Sequence, residues 1–237
     1  MTQRFPHRLE RAVMAICPDI EARVAAPRAK AIDDRALWWE LSCCILSSQV
    51  PFTVATAAAE AIDRAGLLLA EHVELEGLAS ELEDVLANRV AVGSRSVRYR
   101  FPSSRAHQLA STHALVHRHG GSMSALLAQF DDAAAARRWL VDNVPGAGPK
   151  QASMFLRNIG MSYSLAILDR HVLNYMSALG IGDHAGSAVA GLPTYLRLED
   201  ALRGHAKHLG YAVGLLDWAI WIVMRADKEQ NLELDFA

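Results

Sequence analysis

The 237 residues suit one compact domain, or one core with two lobes, and exclude a string of modules. A chain that is 51% hydrophobic and 21% charged buries a sizeable core and does not stay disordered, and its net charge of −2 supplies no whole-chain attraction for a polyanion. No apolar run approaches the roughly 20 residues a membrane-spanning helix needs, and the start MTQRFPHRLERAV lacks the apolar stretch of a secretion signal, so a cytoplasmic protein without a membrane partner is expected.

Apolar residues recur at i, i+3, i+4 from end to end, and the alternation of half-buried strands is nearly absent. The spacing predicts helices over 8–25, 34–49, 52–66, 75–88, 103–119, 131–143, 149–159, 169–179, 196–209 and 211–226. The protein is therefore expected to be all-α. Between the eighth and ninth helices, Gly180 to Pro193 breaks the period with four glycines and reads as a long surface loop.

Charge is unevenly spread along this chain of helices. From Asn88 through Phe130 there is no Asp or Glu, while Arg89, Arg95, Arg98, Arg100, Arg105 and Arg118 fall in the same span. Such a stretch either meets a polyanion or forms a solvated face whose acidic partners, such as Glu74, Glu76, Glu81, Glu83 and Asp84, come from elsewhere. Cys17, Cys43 and Cys44 are too few for a four-thiolate iron–sulfur cluster, and with no Cys-x-x-Cys pair or His-x-x-x-His bracketing a Glu, neither a metal site nor a cofactor is expected.

The stretch that carries chemistry is Val141 to Met176. One predicted helix closes at Val141, Val144-Pro145-Gly146-Ala147-Gly148 makes a tight turn, and Pro149 suits the first turn of the next helix. That is a helix-hairpin-helix pattern, over about 131–159, in which backbone N–H groups beside a helix N-terminus grip phosphate without reading sequence. A plain helix connector has the same composition. Lys150, however, stands in the first turn of the second helix, where the helix dipole disfavours an ammonium and favours the nucleophilic amine. The helix carries the chain about 16 Å away, and the nine residues Gly160 to Leu168 can span up to about 30 Å on the way back. They end on Asp169, which fits an N-cap of the following helix. An amine and a carboxylate 19 residues apart (169 − 150) can thus face one cleft.

The words Gly148-Pro149-Lys150, Ala152-Ser153-Met154-Phe155-Leu156-Arg157-Asn158 and Ala166-Ile167-Leu168-Asp169-Arg170-His171 resemble the active-site region of helix-hairpin-helix DNA glycosylases, and within them the archaeal-type 8-oxoguanine DNA glycosylase/lyase branch. Three further segments are similar to the same branch: Ile45-Leu46-Ser47-Ser48-Gln49, Tyr99-Arg100-Phe101 and Leu216-Asp217-Trp218-Ala219-Ile220-Trp221. The resemblance implies a two-lobed helical fold with a cleft between the lobes, forming a single glycosylase unit over 1–237, with the catalytic aspartate loop and helix at 160–179 and a base-pocket helix at 211–226. It implies a bifunctional enzyme that removes 8-oxoguanine from DNA through a lysine Schiff base and then nicks the strand by β-elimination.

In that scheme Lys150 is the nucleophile and Asp169 its electrostatic partner; Met154, Asp217, Trp221 and Phe101 line the base pocket; Gly146, Gly148, Gln49, His171 and Arg100 contact DNA. The partner is DNA carrying damaged or modified bases, with no obligatory protein partner. Two readings stay open beside this one, the same chemistry on another modified base and a non-catalytic DNA-binding module. The chain also continues sixteen residues past Trp221 (237 − 221) into an acidic tail, Glu229 to Ala237, where relatives of this branch tend to end sooner.

Overall fold

The computed structural model describes the backbone of residues 4–26, 32–70, 74–183, 189 and 191–234, and the side chains of 7–26, 32–70, 74–183, 189 and 191–226. The chain divides into two compact units, one built from Lys30–Ile159 and the other from Met1–Ala29 together with Gly160–Ala237.

The first unit contains α2 (Asp34–Leu46), α3 (Phe52–Ala65), a 3-10 turn at Leu67–Leu69, α4 (Leu75–Ala87), strands β1 (Arg89–Val92) and β2 (Arg95–Arg98), then α5 (Pro102–Gly120), α6 (Met123–Leu127), α7 (Ala133–Asn143) and α8 (Pro149–Asn158). Helix α2 is its hub. Leu37, Trp38 and every residue from Leu41 to Leu46 are buried, and α3, α5, α6 and α8 all pack against it. Short polar side chains start the helices: Asp33 accepts from Ala36 N–H and Asp132 from Ala135 N–H. The five-residue α6 is held by Asp34, whose carboxylate accepts from Met123 N–H and Ser124 N–H at 2.9 and 3.0 Å.

The second unit contains α1 (Arg4–Ala25), α9 (Arg170–Leu179), α10 (Leu192–Leu209) and α11 (Val213–Leu234). Val13 and Cys17 of α1, Tyr175 and Met176 of α9, Leu198 and Leu202 of α10, and Leu216 and Ile220 of α11 form one buried cluster. The first helix in the chain thus completes a core whose other members lie beyond residue 160.

Several boundaries differ from the sequence reading. The β1–β2 hairpin was not expected: Val90, Val92 and Val97 face one side, and the two-residue turn Gly93-Ser94 has its positive φ (58°) at glycine, as a tight hairpin requires. Helix α2 stops at Leu46, not at Gln49, because side chains take its last carbonyls: Ser47 Oγ–H donates to Cys44 O and Tyr99 O–H to Leu46 O. Helix α10 begins at Leu192, earlier than periodicity suggested, with Pro193 in its first turn. The expected loop therefore ends at Gly191, and its residues 184–188 and 190 lie outside the described residues. Helix α11 runs to Leu234, eight residues further than expected; the side chains of the acidic tail, and residues 235–237 altogether, lie outside the described residues.

All three cysteines are buried and unpaired by disulfide. Burial pushes the Cys17 thiol up to about 11 and those of Cys43 and Cys44 well above the ordinary thiol range. Among the described residues no single helix is long and apolar enough to cross a membrane, and no group of three or more His, Cys, Asp or Glu is placed to hold a metal ion.

Candidate functional site

In the Lys30–Ile159 unit, α7 and α8 form the helix-hairpin-helix. Arg137 of α7 is 3% exposed and donates to Ser153 Oγ of α8 at 3.2 Å, a buried tie between the two helices that sequence reasoning missed. Between them Val144 N–H closes on Leu140 O and Ala147 N–H on Val144 O. Gly146 is required twice over. Its φ is 85°, and a Cβ there would stand 2.5 Å from Gln108 Oε1 and 3.2 Å from Ile45 Cγ2. The N–H groups of Gly146, Gly148 and Lys150 meet no protein acceptor among the described residues. They form a set of donors at the N-terminus of α8, with Gly148 as N-cap.

Lys150, half-buried in the first turn of α8, has Met154 one turn later, also half-buried. Cys44 of the hub helix lies near enough to feel the lysine's charge. On the same helix Glu40 accepts from Asn158 Nδ2–H at 2.7 Å, and burial raises its carboxyl above the usual carboxylate range.

Gln49 follows α2 in a turn. It is the one non-glycine residue with positive φ (61°) among the described residues, and its side chain is exposed. Left-handed backbone at such a residue persists only when its surroundings hold it. Here they do: Tyr99 O–H reaches Leu46 O at 2.8 Å, Ser47 Oγ–H reaches Cys44 O at 2.9 Å, and Arg105 donates to Ser48 O at 3.4 Å. Arg105 also donates to Gln108 Oε1 at 2.5 Å, and that oxygen is the atom Gly146 makes room for. The Gln49 turn and the hairpin are therefore braced through one arginine. Phe101 has two guanidinium groups over its ring, with Arg100 4.9 Å and Arg105 5.8 Å from its centre.

The other unit holds Asp169, His171, Asp217 and Trp221. Asp169 is the N-cap of α9, as its position suggested, and accepts from Val172 N–H at 2.9 Å. The residues leading to it, Ala166 to Leu168, are buried although they form no regular structure, so each N–H must find a partner. Three side chains supply them. Ala166 N–H donates to Glu199 at 2.7 Å, Ile167 N–H to Asp217 at 2.5 Å, and Leu168 N–H to the Tyr195 hydroxyl at 3.0 Å; the same hydroxyl donates to Ala166 O at 2.7 Å. Asp169 N–H turns back to Ile167 O. Glu199 is fully buried, with its second oxygen 3.1 Å from Arg203.

Asp217, expected to meet a base, is 1% exposed and accepts from Ile167 N–H in the aspartate loop. Trp221 differs from its neighbours on α11: Trp218 and Ile222 pack on the core cluster, whereas Trp221 stands half-buried with the Arg225 guanidinium 5.1 Å from its ring centre. His171, in the first turn of α9, is half-buried. Tyr195 and Glu199 were not singled out in the sequence, although Glu199 had a signal: it interrupts the apolar stripe Tyr195, Leu198, Leu202, Ala206.

A lysine behind a glycine hairpin and an aspartate capping the next helix are now both located. The family model described as 8-oxoguanine DNA glycosylase matches residues 20–211. The chain belongs to the 8-oxoguanine DNA glycosylase family. Among curated members, the 8-oxoguanine DNA glycosylase/AP lyase of Korarchaeum cryptofilum is 30% identical over 80% of this chain and 80% of its own length. That of Saccharolobus solfataricus is 28% identical over 86% and 92%. Among solved structures, the 8-oxoguanine DNA glycosylase of Thermotoga maritima superposes with a TM-score of 0.64 at 28% identity, covering 93% of this chain and 96% of that one. The Methanocaldococcus jannaschii 8-oxoguanine glycosylase/lyase, solved with DNA containing 8-oxoguanine, shares the fold with a TM-score of 0.67 at 24% identity, covering 89% and 94%. The helical helix-hairpin-helix glycosylase fold is thus that of the family.

Proposed function

We propose that this chain excises 8-oxoguanine from DNA and nicks the strand at the vacated sugar, with Lys150 as nucleophile and Asp169 as its electrostatic partner. The observation that carries this reading is the half-buried lysine in the first turn of α8, directly behind a hairpin whose N–H groups meet no protein acceptor, in a member of this family. Those donors suit a DNA phosphate next to the lesion. The damaged nucleotide has to leave the stack before its sugar carbon can be attacked. Exposed Gln49 fills the space it vacates, with Arg100 and His171 as further DNA contacts, while Phe101, Met154 and Trp221 offer apolar and aromatic faces to the extruded base.

The neutral amine of Lys150 attacks C1′ as the N-glycosidic bond breaks, and the bonding pair leaves with the base. The ionised Asp169 stabilises positive charge developing on the sugar. Loss of a proton from the nitrogen and opening of the sugar ring give an imine, which acidifies the C2′–H. Removal of that proton expels the 3′ phosphate, and water then releases the lysine. Asp217 we assign to holding the aspartate loop and not to the base. A DNA substrate and unpaired thiols fit a cytoplasmic location.

The test is borohydride trapping on duplexes carrying single defined lesions. A covalent adduct is expected with 8-oxoguanine for the unaltered chain, none for Lys150→Gln, and a strongly reduced yield for Asp169→Asn. An adduct that persists in Lys150→Gln would overturn the assignment, and a stronger adduct with another lesion would move the activity to that base.

A further inference from the structure

The β1–β2 hairpin carries charge that no described carboxylate balances. Its register sets Arg89 directly opposite Arg98, which places their Cα atoms about 5 Å apart. Like charges at such positions are destabilising. Both side chains are exposed, as are Arg95 at the tip and Arg100 just past β2. Arg89 donates to Ser96 Oγ and to Ser96 O, which fixes its guanidinium over the exposed face. Among the described residues no carboxylate pairs with Arg89, Arg95, Arg98 or Arg100. Helix α3 packs against β1, and of its two acids Asp63 is taken by Arg35 while Glu60 points to solvent without pairing to the hairpin.

The hairpin is also rigidly placed. Arg98 and Arg100 flank Tyr99, which is 4% exposed and anchored to Leu46 O at the base of the Gln49 turn. With Tyr99 turned inward, Arg98 and Arg100 are turned outward, and Arg89 extends the row across the strand pair. Three guanidinium groups therefore line one face of the segment that ends at Arg100.

We infer that the arginine hairpin is a second DNA-binding surface, in which Arg89 and Arg98 bind backbone phosphates of the duplex beyond the lesion and extend the contact begun at Arg100. This rests on the function proposed above. Cross-strand repulsion in the free protein is relieved when phosphate arrives, so the contact adds affinity and no sequence preference.

The test uses Lys150→Gln protein, which holds an 8-oxoguanine duplex without cutting it, and measures Kd between 50 and 200 mM salt with and without Arg89→Gln/Arg98→Gln. Two phosphate contacts correspond to a slope difference of about 1.8 in log K against log salt, so the parent loses about 12-fold more affinity than the variant over that range. Arg89→Lys/Arg98→Lys should restore the parental slope, and Arg118→Gln, an exposed arginine on α5, should leave it alone. In the chain that retains Lys150, the arginine substitutions should leave the borohydride adduct at saturating DNA unchanged. A variant slope equal to the parental one, with circular dichroism unaltered, overturns the inference. Failure of the unaltered chain to form any adduct, whatever the slopes, would count against the proposed function and not against the hairpin.

Discussion

Replacing Tyr195 by phenylalanine removes a single oxygen from a side chain that is 2% exposed, and that oxygen makes two hydrogen bonds to the loop before Asp169. Leu168 N–H loses its acceptor at 3.0 Å and Ala166 O its donor at 2.7 Å. Both groups are buried, so each unmet partner costs about 1–3 kcal/mol, and the pair destabilises the native state by about 2–4 kcal/mol after local relaxation. For a chain of this size that lowers Tm by about 4–16 °C. The same bonds set the backbone one residue ahead of Asp169, and a displacement near 1 Å at a catalytic group costs about 100-fold in rate. Thermal unfolding by circular dichroism and single-turnover excision at saturating 8-oxoguanine duplex measure the two effects, with duplex Kd expected to stay within about twofold because the hydroxyl is buried. A Tm within 1 °C of the unaltered chain, together with an unchanged single-turnover rate, would refute the argument that this hydroxyl holds the loop.

Gly214→Ala strikes the same loop from α11, since the new Cβ would lie 2.7 Å from Leu165 O and 2.8 Å from Tyr163 O; a loss of about 1–3 kcal/mol is expected in urea titration, with slowed excision. Gly204→Ala on α10 meets nothing within 4 Å and should stabilise by up to about 1 kcal/mol, which separates steric conflict from a general effect of alanine. Gln49→Gly relieves left-handed backbone at φ 61° and should leave stability unchanged or higher by up to about 1 kcal/mol, yet lower excision at least about tenfold by removing the exposed amide. Glu40 has its carboxyl raised by burial, so the stability it contributes is fully present below its unfolded value and is lost as pH rises through the folded one. Glu40→Gln, which keeps an acceptor for Asn158, should therefore melt higher than the unaltered chain at neutral pH, with the gap closing as pH falls through the carboxylate range.

What the sequence made legible was local. Helical periodicity located ten of the helices, the Pro-Gly-Ala-Gly turn marked the hairpin between α7 and α8, and the position of Asp169 ahead of an apolar-periodic run announced its cap, seen as the bond to Val172 N–H. Four-residue strands are shorter than any window in which period two stands out from period 3.6, so Val90, Val92 and Val97 passed unnoticed. The end of α2 was misjudged because Tyr99, 53 residues along the chain, terminates it. The bond made by Asp217 was hidden in the same way. Its spacing from Trp221 is correct for one helix face, but its oxygen is claimed by Ile167, 50 residues earlier. Glu199 was passed over although its signal was local, a carboxylate set in an apolar stripe that asks for a buried donor.

The order in which the chain is made gives the divided core a consequence. Residues 30–159 are contiguous and complete once synthesis has passed α8, whereas α1 emerges first and finds its partners, α9, α10 and α11, only at the end of synthesis. Helices α10 and α11 also supply Tyr195, Glu199 and Asp217 to the aspartate loop. A nascent polypeptide can therefore complete the turn between α7 and α8 long before the loop carrying Asp169 has the side chains that hold it, and a translation product cut short before α10 would lack all three.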